Sequence, residues 1–206
     1  MAELEILFAT RIYRAALGGN GSMRLNAELK TACLSIGRDD RAGQRWSREN
    51  NYRGYTSYAS LNDLAYRVPA FAELERRLNQ HAAAFARALH FDLAGRKLKI
   101  DSFWINILKP GGVHTGHIHP HSAISGTYYV DVPKGASALK FEDPRLVMMM
   151  AAPPKKKTAP RESQPFIYVA PKAGELILFE SWLRHEVPPN AARKDRISIS
   201  FNYAWV

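Results

Sequence analysis

The hydrophobic period of this chain changes once, and the change limits what it can fold into. Phe71, Leu74, Leu78, Ala82, Phe85 and Leu89 recur at spacings of three and four, which predicts an amphipathic helix over 69–90. Pro69 suits the first turn, where a missing N–H costs nothing. Glu73, Arg76, Arg77 and Arg87 make the outer face. From Leu98 the period is two: Leu98, Ile100, Ser102, Trp104 and Asn106 alternate with Lys99, Asp101, Phe103 and Ile105. Further strands are predicted over 125–132, 138–142, 166–169, 175–180 and 196–204. A turn falls at Pro133-Lys-Gly135 and a long loop over 144–165, with Pro153-Pro154 and three lysines. Helix first and many short strands after argue for an α+β fold whose β part is a sandwich or barrel. Residues 1–66 pattern weakly. Glu5 to Phe8 reads as a first strand, and Gly18–Gly21 and the polar run Arg38–Gly54 read as loops. The expected organisation is one structural domain, with residues 1–97 packing on a core formed by 98–206.

A chain of 206 residues can bury a proper core. No run approaches the roughly 18 apolar residues of a membrane span. The start, Met-Ala-Glu-Leu-Glu, lacks the apolar centre of a secretion signal. The one cysteine, Cys33, cannot form an internal disulfide, so a cytoplasmic location is expected. The net charge is +10, concentrated at 38–53 and 144–161. These segments are read as solvated loops rather than a nucleic-acid surface, because no aromatic or glycine pattern of a nucleic-acid module accompanies them.

Four of the seven histidines fall within His114-Thr-Gly-His117-Ile-His119-Pro-His121, and His185 stands far downstream. Neutral imidazole is the commonest protein metal ligand. Two ligands close in sequence and one distant, brought together by β-structure, are how a site for a redox-active metal is usually assembled. His81 and His90 are lone histidines on the predicted helix and receive no metal role. The last strand, Arg196-Ile-Ser-Ile-Ser-Phe-Asn202, puts Arg196, Ser198, Ser200 and Asn202 on one face and Ile197, Ile199, Phe201 and Tyr203 on the other. A polar face can simply meet water. Inside a barrel, an arginine fork with hydroxyls would hold a carboxylate.

His117-Ile-His119-Pro120, followed by Ser125-Gly-Thr-Tyr-Tyr129, then His185 and Arg196-x-Ser198, resembles the iron(II) and 2-oxoglutarate-dependent oxygenase superfamily, in its bacterial and phage branch. The resemblance covers about residues 98–205. Residues 1–97 match loosely, through Gly54-Tyr-Thr-Ser57 and the helix. It implies a double-stranded β-helix, the jelly-roll or cupin-like barrel, with N-terminal helical support. It implies Fe(II) held by His117, His119 and His185, and 2-oxoglutarate as cosubstrate. Arg196 and Ser198 would bind the far carboxylate, Tyr128 or Tyr129 would donate a hydrogen bond, and Asn106 would contact the same molecule. The activity implied is dioxygenase hydroxylation through a ferryl intermediate, on a small-molecule or peptidyl substrate that the sequence does not name. Barrels of this type often pair through N-terminal elements, but no heptad or exposed apolar stripe compels a homodimer.

One departure stands out. The superfamily's second ligand is an acid, giving two histidines and a carboxylate; here that place holds His119. Either three histidines bind the iron, or another group fills the position, with His114 and His121 as competitors. A third neutral ligand leaves more net positive charge on the site, which also suits zinc or copper. Two rivals stay open: a cupin-like three-histidine metalloenzyme that needs no 2-oxoglutarate, and a basic binding module with a structural metal. No zinc knuckle, Gly-x-Ser-x-Gly or phosphate loop is present.

Overall fold

The computed structural model describes residues 1–206. In chain order the elements are β1 (Tyr13–Ala16), α1 (Ser22–Asp39), α2 (Arg41–Glu49), β2 (Gly54–Thr56), α3 (Leu64–Arg67), α4 (Pro69–Ala88), β3 (Leu98–Leu108), β4 (His114–His117), β5 (Ile124–Asp131), β6 (Leu139–Glu142), β7 (Phe166–Val169), β8 (Glu175–Glu180), β9 (His185–Val187) and β10 (Arg196–Trp205). The strands form a six-stranded sheet in the order β1-β8-β5-β10-β3-β2 and a four-stranded sheet in the order β4-β9-β6-β7. Every pairing is antiparallel.

Alternation along the strands sorts side chains into two cores. One face of the larger sheet carries Phe103, Ile105, Ile107, Leu176, Leu178, Ile197, Ile199, Phe201 and Tyr203. It packs on Leu25, Leu29 and Cys33 of α1 and on Phe71, Leu74, Leu78 and Phe85 of α4. The other face gives Leu108, Tyr129, Ile177 and Phe179 to a smaller cluster with Leu139, Phe141, Val169 and Val187 of the second sheet. Phe141 and Phe179 meet edge-on across the gap, at 5.0 Å between ring centres. The result is three layers: helices, large sheet, small sheet. Each buried Leu, Ile or Phe contributes about 1.5–3 kcal/mol. A one-residue slip of β10 would expose a whole row of them, so the register is firmly held.

The helix over 69–90 forms as Pro69–Ala88 and stops where His90 takes φ 57°. The strands read from alternation also form. Two expectations for the first 66 residues give way. Leu4, Ile6, Leu7 and Phe8 are exposed and outside any strand; the first strand is Tyr13–Ala16, which finds an open edge on β8. The polar run 38–54 is largely helical. Asp40 caps α2, accepting from the Gly43 N–H at 3.0 Å, and also accepts from Tyr55 and Ser60. This helix buries only Gly43 and Ser47, so it presents no apolar stripe to a sequence reader. The N-terminal part also supplies both outer strands of the large sheet. β2 pairs with β3, where Gly54 runs so close that a Cβ there would lie 2.0 Å from the Ile107 carbonyl oxygen.

Gly126, inside the Ser-Gly-x-Tyr-Tyr run, is required by packing. A Cβ at this position would sit 2.5 Å from Phe201 and 2.6 Å from Leu178. Gly126→Ala is expected to destabilise the protein by about 1–3 kcal/mol through overpacking, read as a lower urea midpoint with an unchanged slope.

Candidate active site

The cavity between the two sheets is lined by Trp104, Asn106, His114, His117, His119, Ser125, Thr127, Phe179, His185, Arg196, Ser198 and Ser200. Its histidines are placed by strand register. His117 ends β4 directly opposite His185 of β9, and His185 in turn faces Phe141 of β6. His119 follows in a turn whose N–H bonds the Ser181 carbonyl at 2.9 Å. The ligand atoms of His117, His119 and His185 all lie within 4.8 Å of one another. His117 Nδ1 meets the Thr115 carbonyl at 2.7 Å and His185 Nδ1 the Leu183 carbonyl at 2.9 Å. A carbonyl only accepts, so both Nδ1 atoms carry the proton and both Nε2 atoms keep a free lone pair, the arrangement a metal needs. His119 Nδ1 lies 3.3 Å from the Asn202 side-chain amide, whose oxygen accepts from Ser125. A half-turn of that amide would let it accept from Nδ1 and free Nε2 here too. The one acidic residue in the lining, Glu186, is bound to Lys140 at 2.8 Å.

At the opposite end lies Arg196, only 2% exposed. It pairs in register with Leu108 on β3. Its guanidinium sits 4.9 Å over the Tyr129 ring and touches Ser198 Oγ at 3.5 Å. No carboxylate reaches it. Its Nε and the Tyr129 hydroxyl are buried without any hydrogen-bond partner. Leaving a buried charge unpaired costs several kcal/mol, so this pocket is built for an anion from outside the chain. Between the two ends Asn106 donates to Ser200 and accepts from Thr56, each at 3.0 Å, which fixes its amide as a wall of the cavity.

Burial sets the protonation of the ring. His114 and His185 are pushed down to about 3 and His119 to about 4, chiefly by loss of water, with neighbouring positive groups adding to the effect. All three are neutral at physiological pH, as ligation requires.

Residues not anticipated from sequence complete the surroundings. Tyr52, just after α2, bonds His114 Nε2 at 3.0 Å. Trp104 continues outward through Tyr58 to Trp46 of α2, with ring centres 5.3 and 6.3 Å apart. Tyr58 is well exposed, so an aromatic strip runs from the histidines to solvent. On the facing side the segment 143–165 leaves β6 one residue beyond the His185 row. The lysines Lys155, Lys156 and Lys157 therefore belong to the loop that departs at the metal end of the cavity.

The anticipated residues mostly converge. His117, His119, His185, Arg196, Ser198, Asn106 and Tyr129 all reach the cavity or its walls. Tyr128 is the correction. Strand alternation turns it to the helical side, where its hydroxyl donates to Asn26 of α1 at 2.8 Å. His121 lies exposed in a turn, and His114 sits at the Arg196 end, outside the converging trio. The signal for Tyr129 over Tyr128 was available: Ser125, Thr127 and Tyr129 share one face of β5.

The depressed histidines make a prediction for the metal-free protein. Unfolded histidine titrates near 6.5. Between that value and about 4 the unfolded chain binds protons that the folded chain refuses, so stability is full above about pH 7 and falls as pH drops. Urea midpoints in chelator should decline already between pH 6.5 and 5, before carboxylates titrate, and less steeply in His114→Gln. A flat profile over that range contradicts the assignment.

Residues 102–202 match the model of the family described as "Putative 2OG-Fe(II) oxygenase". No curated protein matches the sequence. Among solved structures, the epimerase SnoN in complex with Fe3+, alpha ketoglutarate and nogalamycin RO is similar at 15% identity and a TM-score of 0.61, over 95% of this chain and 79% of that one. A Pseudomonas putida prolyl-4-hydroxylase is similar at 16% identity and a TM-score of 0.57, over 95% and 88%. A 2OG-Fe(II) oxygenase family oxidoreductase from Burkholderia pseudomallei aligns over only 54% of this chain and 47% of its own, with a TM-score of 0.43. The residues present fit iron and 2-oxoglutarate: three convergent imidazoles at one end of the cavity and a buried, unpaired cation at the other. Residues 102–202, a little under half of the chain, are thus similar in sequence to the 2OG-Fe(II) oxygenase family.

Proposed function

We propose that the chain is a hydroxylase whose catalytic core, residues 98–206, closes as a double-stranded β-helix, with residues 1–97 buttressing it. His117, His119 and His185 hold the iron. Arg196, Ser198 and Tyr129 hold the far carboxylate of 2-oxoglutarate, and Asn106 borders the cosubstrate. The observation that carries this reading is Arg196, a buried guanidinium with an unsatisfied Nε beside an unsatisfied tyrosine hydroxyl.

When bound, iron and 2-oxoglutarate supply the oxidising chemistry that puts oxygen into a substrate C–H bond. The chain's own part is positional. Arg196 offers a fork that sets how deep the cosubstrate sits and in which direction. Tyr129 and Ser198 direct hydroxyl groups at the same carboxylate. Phe179 and Phe141 stand against His185 and keep water from that side of the ligands. The substrate, a small molecule or a peptidyl group, approaches along Trp46, Tyr58 and Trp104, and the lysines of 155–157 favour one bearing negative charge. The absence of a carboxylate among the ligands favours one second reading, a three-histidine metalloenzyme of the cupin type without 2-oxoglutarate.

Anaerobic addition of iron(II) to metal-free protein, followed by 2-oxoglutarate, should produce the weak visible charge-transfer band of the chelated cosubstrate. His185→Ala should lose iron. Arg196→Ala should keep iron and lose 2-oxoglutarate affinity by about 30- to 1,000-fold, the scale of breaking a buried charge pair. Iron binding with no band in the wild type would select the second reading. Neutralising Lys155, Lys156 and Lys157 should raise KM for the substrate more than it lowers kcat, and unchanged turnover would remove those lysines from substrate capture.

A further inference from the structure

His114 is the one cavity histidine that the proposed iron site leaves unused. It opens β4 opposite Val187 and lies outside the trio that converges on the metal position. It belongs instead to the Arg196 end. Tyr52, its partner, packs on the cluster that holds Leu108 and Tyr129, and the Arg196 charge acts on both Tyr52 and His114. The two rings meet edge-on at 5.2 Å, and the Tyr52 hydroxyl lies 3.0 Å from His114 Nε2. That bond occupies one ring nitrogen, and Nδ1 is left for the cavity that His114 lines.

We propose that the Tyr52–His114 pair is a cosubstrate-positioning element in which Tyr52 donates to Nε2 and so keeps the proton on Nδ1, aimed at the far carboxylate of 2-oxoglutarate. The inference rests on reading the Arg196 pocket as the cosubstrate site. Its logic is a donor count. An ionised carboxylate only accepts, and it offers about four lone-pair sites. Arg196, the Tyr129 hydroxyl and Ser198 supply donors from β10 and β5. His114 Nδ1–H adds one from the facing sheet, so the carboxylate is gripped from both sides of the cavity. The opposite tautomer would present a bare Nδ1 lone pair to the anion and repel it. Tyr52, which sits outside the region of family resemblance, is therefore the group that selects the productive tautomer.

Affinity is measured without turnover, in iron(II)-loaded protein under anaerobic conditions, for 2-oxoglutarate and for 2-oxobutyrate, which lacks the far carboxylate. His114→Ala should weaken 2-oxoglutarate by about 10- to 100-fold, the scale of one hydrogen bond to a charged group. His114→Asn should recover part of that loss. Tyr52→Phe, which conserves volume and carries the test if the alanine variant fails to fold, should weaken it by about 3- to 10-fold. All should keep wild-type iron content and 2-oxobutyrate affinity. Nitrogen-15 NMR of the His114 ring should show Nδ1 protonated in the 2-oxoglutarate complex. Variants that bind 2-oxoglutarate like the wild type would overturn the proposal, as would equal losses for both ligands or a bare Nδ1 in the complex. If iron-loaded wild type fails to bind 2-oxoglutarate, or Arg196→Ala binds it unchanged, the underlying reading of the pocket falls as well.

Discussion

The structure depends on the central position of β10. This strand pairs with β3 on one side and β5 on the other, so its alternation is imposed on the middle of the large sheet. Ile197, Ile199, Phe201 and Tyr203 are driven against the helices, and burial of that row holds the opposite row in place. Arg196, Ser198 and Ser200 are thereby directed into the cavity, and Asn202 to the His119 amide contact. A guanidinium would not enter that space alone. Apolar packing on one face of the strand offsets the cost of desolvating a cation on the other.

The cavity has two electrostatically distinct ends. At one, neutral imidazoles present lone pairs. At the other, a permanent positive charge and hydroxyl donors await negative charge. A molecule with an anion at one end and metal-binding oxygens at the other is oriented by this polarity before any shape-specific contact forms. If the three imidazoles are the ligands, neither they nor Arg196 brings a compensating anion, and Glu186 is already paired with Lys140, so the proposed cosubstrate would have to supply it. The absence of the usual ligating acid and the solitary arginine thus raise the same demand for negative charge.

The N-terminal part reaches the site from outside. α2 and the segment after it deliver Tyr52, Thr56, Tyr58 and Trp46 to the edge of β3. Asp40 welds this corner by accepting from Gly43, Tyr55 and Ser60 together. These bonds hold its carboxyl below the ordinary range although partial burial opposes them. Trp46 and Tyr58, the outer part of the aromatic strip proposed for substrate approach, therefore lie on elements with the weakest sequence patterning, while the histidines and Arg196 lie on or beside strands with the strongest.

The sequence alone was enough for the α4 helix, the strands of alternating period, the histidine-rich segment with the distant His185, and the shared face of Arg196, Ser198 and Ser200. These are consequences of short-range rules: a period of 3.6 or two, and ligand types at fixed spacing. That His117, His119 and His185 converge, and that this face of β10 lines a cavity, came from the fold. Alternation along β5 separates Tyr129, on the face of Ser125 and Thr127, from Tyr128, and the tertiary structure added which of the two faces meets the helices. It alone put His114 with Tyr52 and Arg196 rather than with the metal ligands, since strand register, and not distance along the chain, sets that neighbourhood. It alone made a helix of Arg41–Glu49, which packs through Gly43 and Ser47 and so leaves no apolar stripe. The basic run 144–161 is largely exposed, as its composition suggests, but that the 143–165 segment leaves at the histidine end follows from the Phe141–His185 pairing. Long-range pairing decides such matters, and no local pattern encodes it.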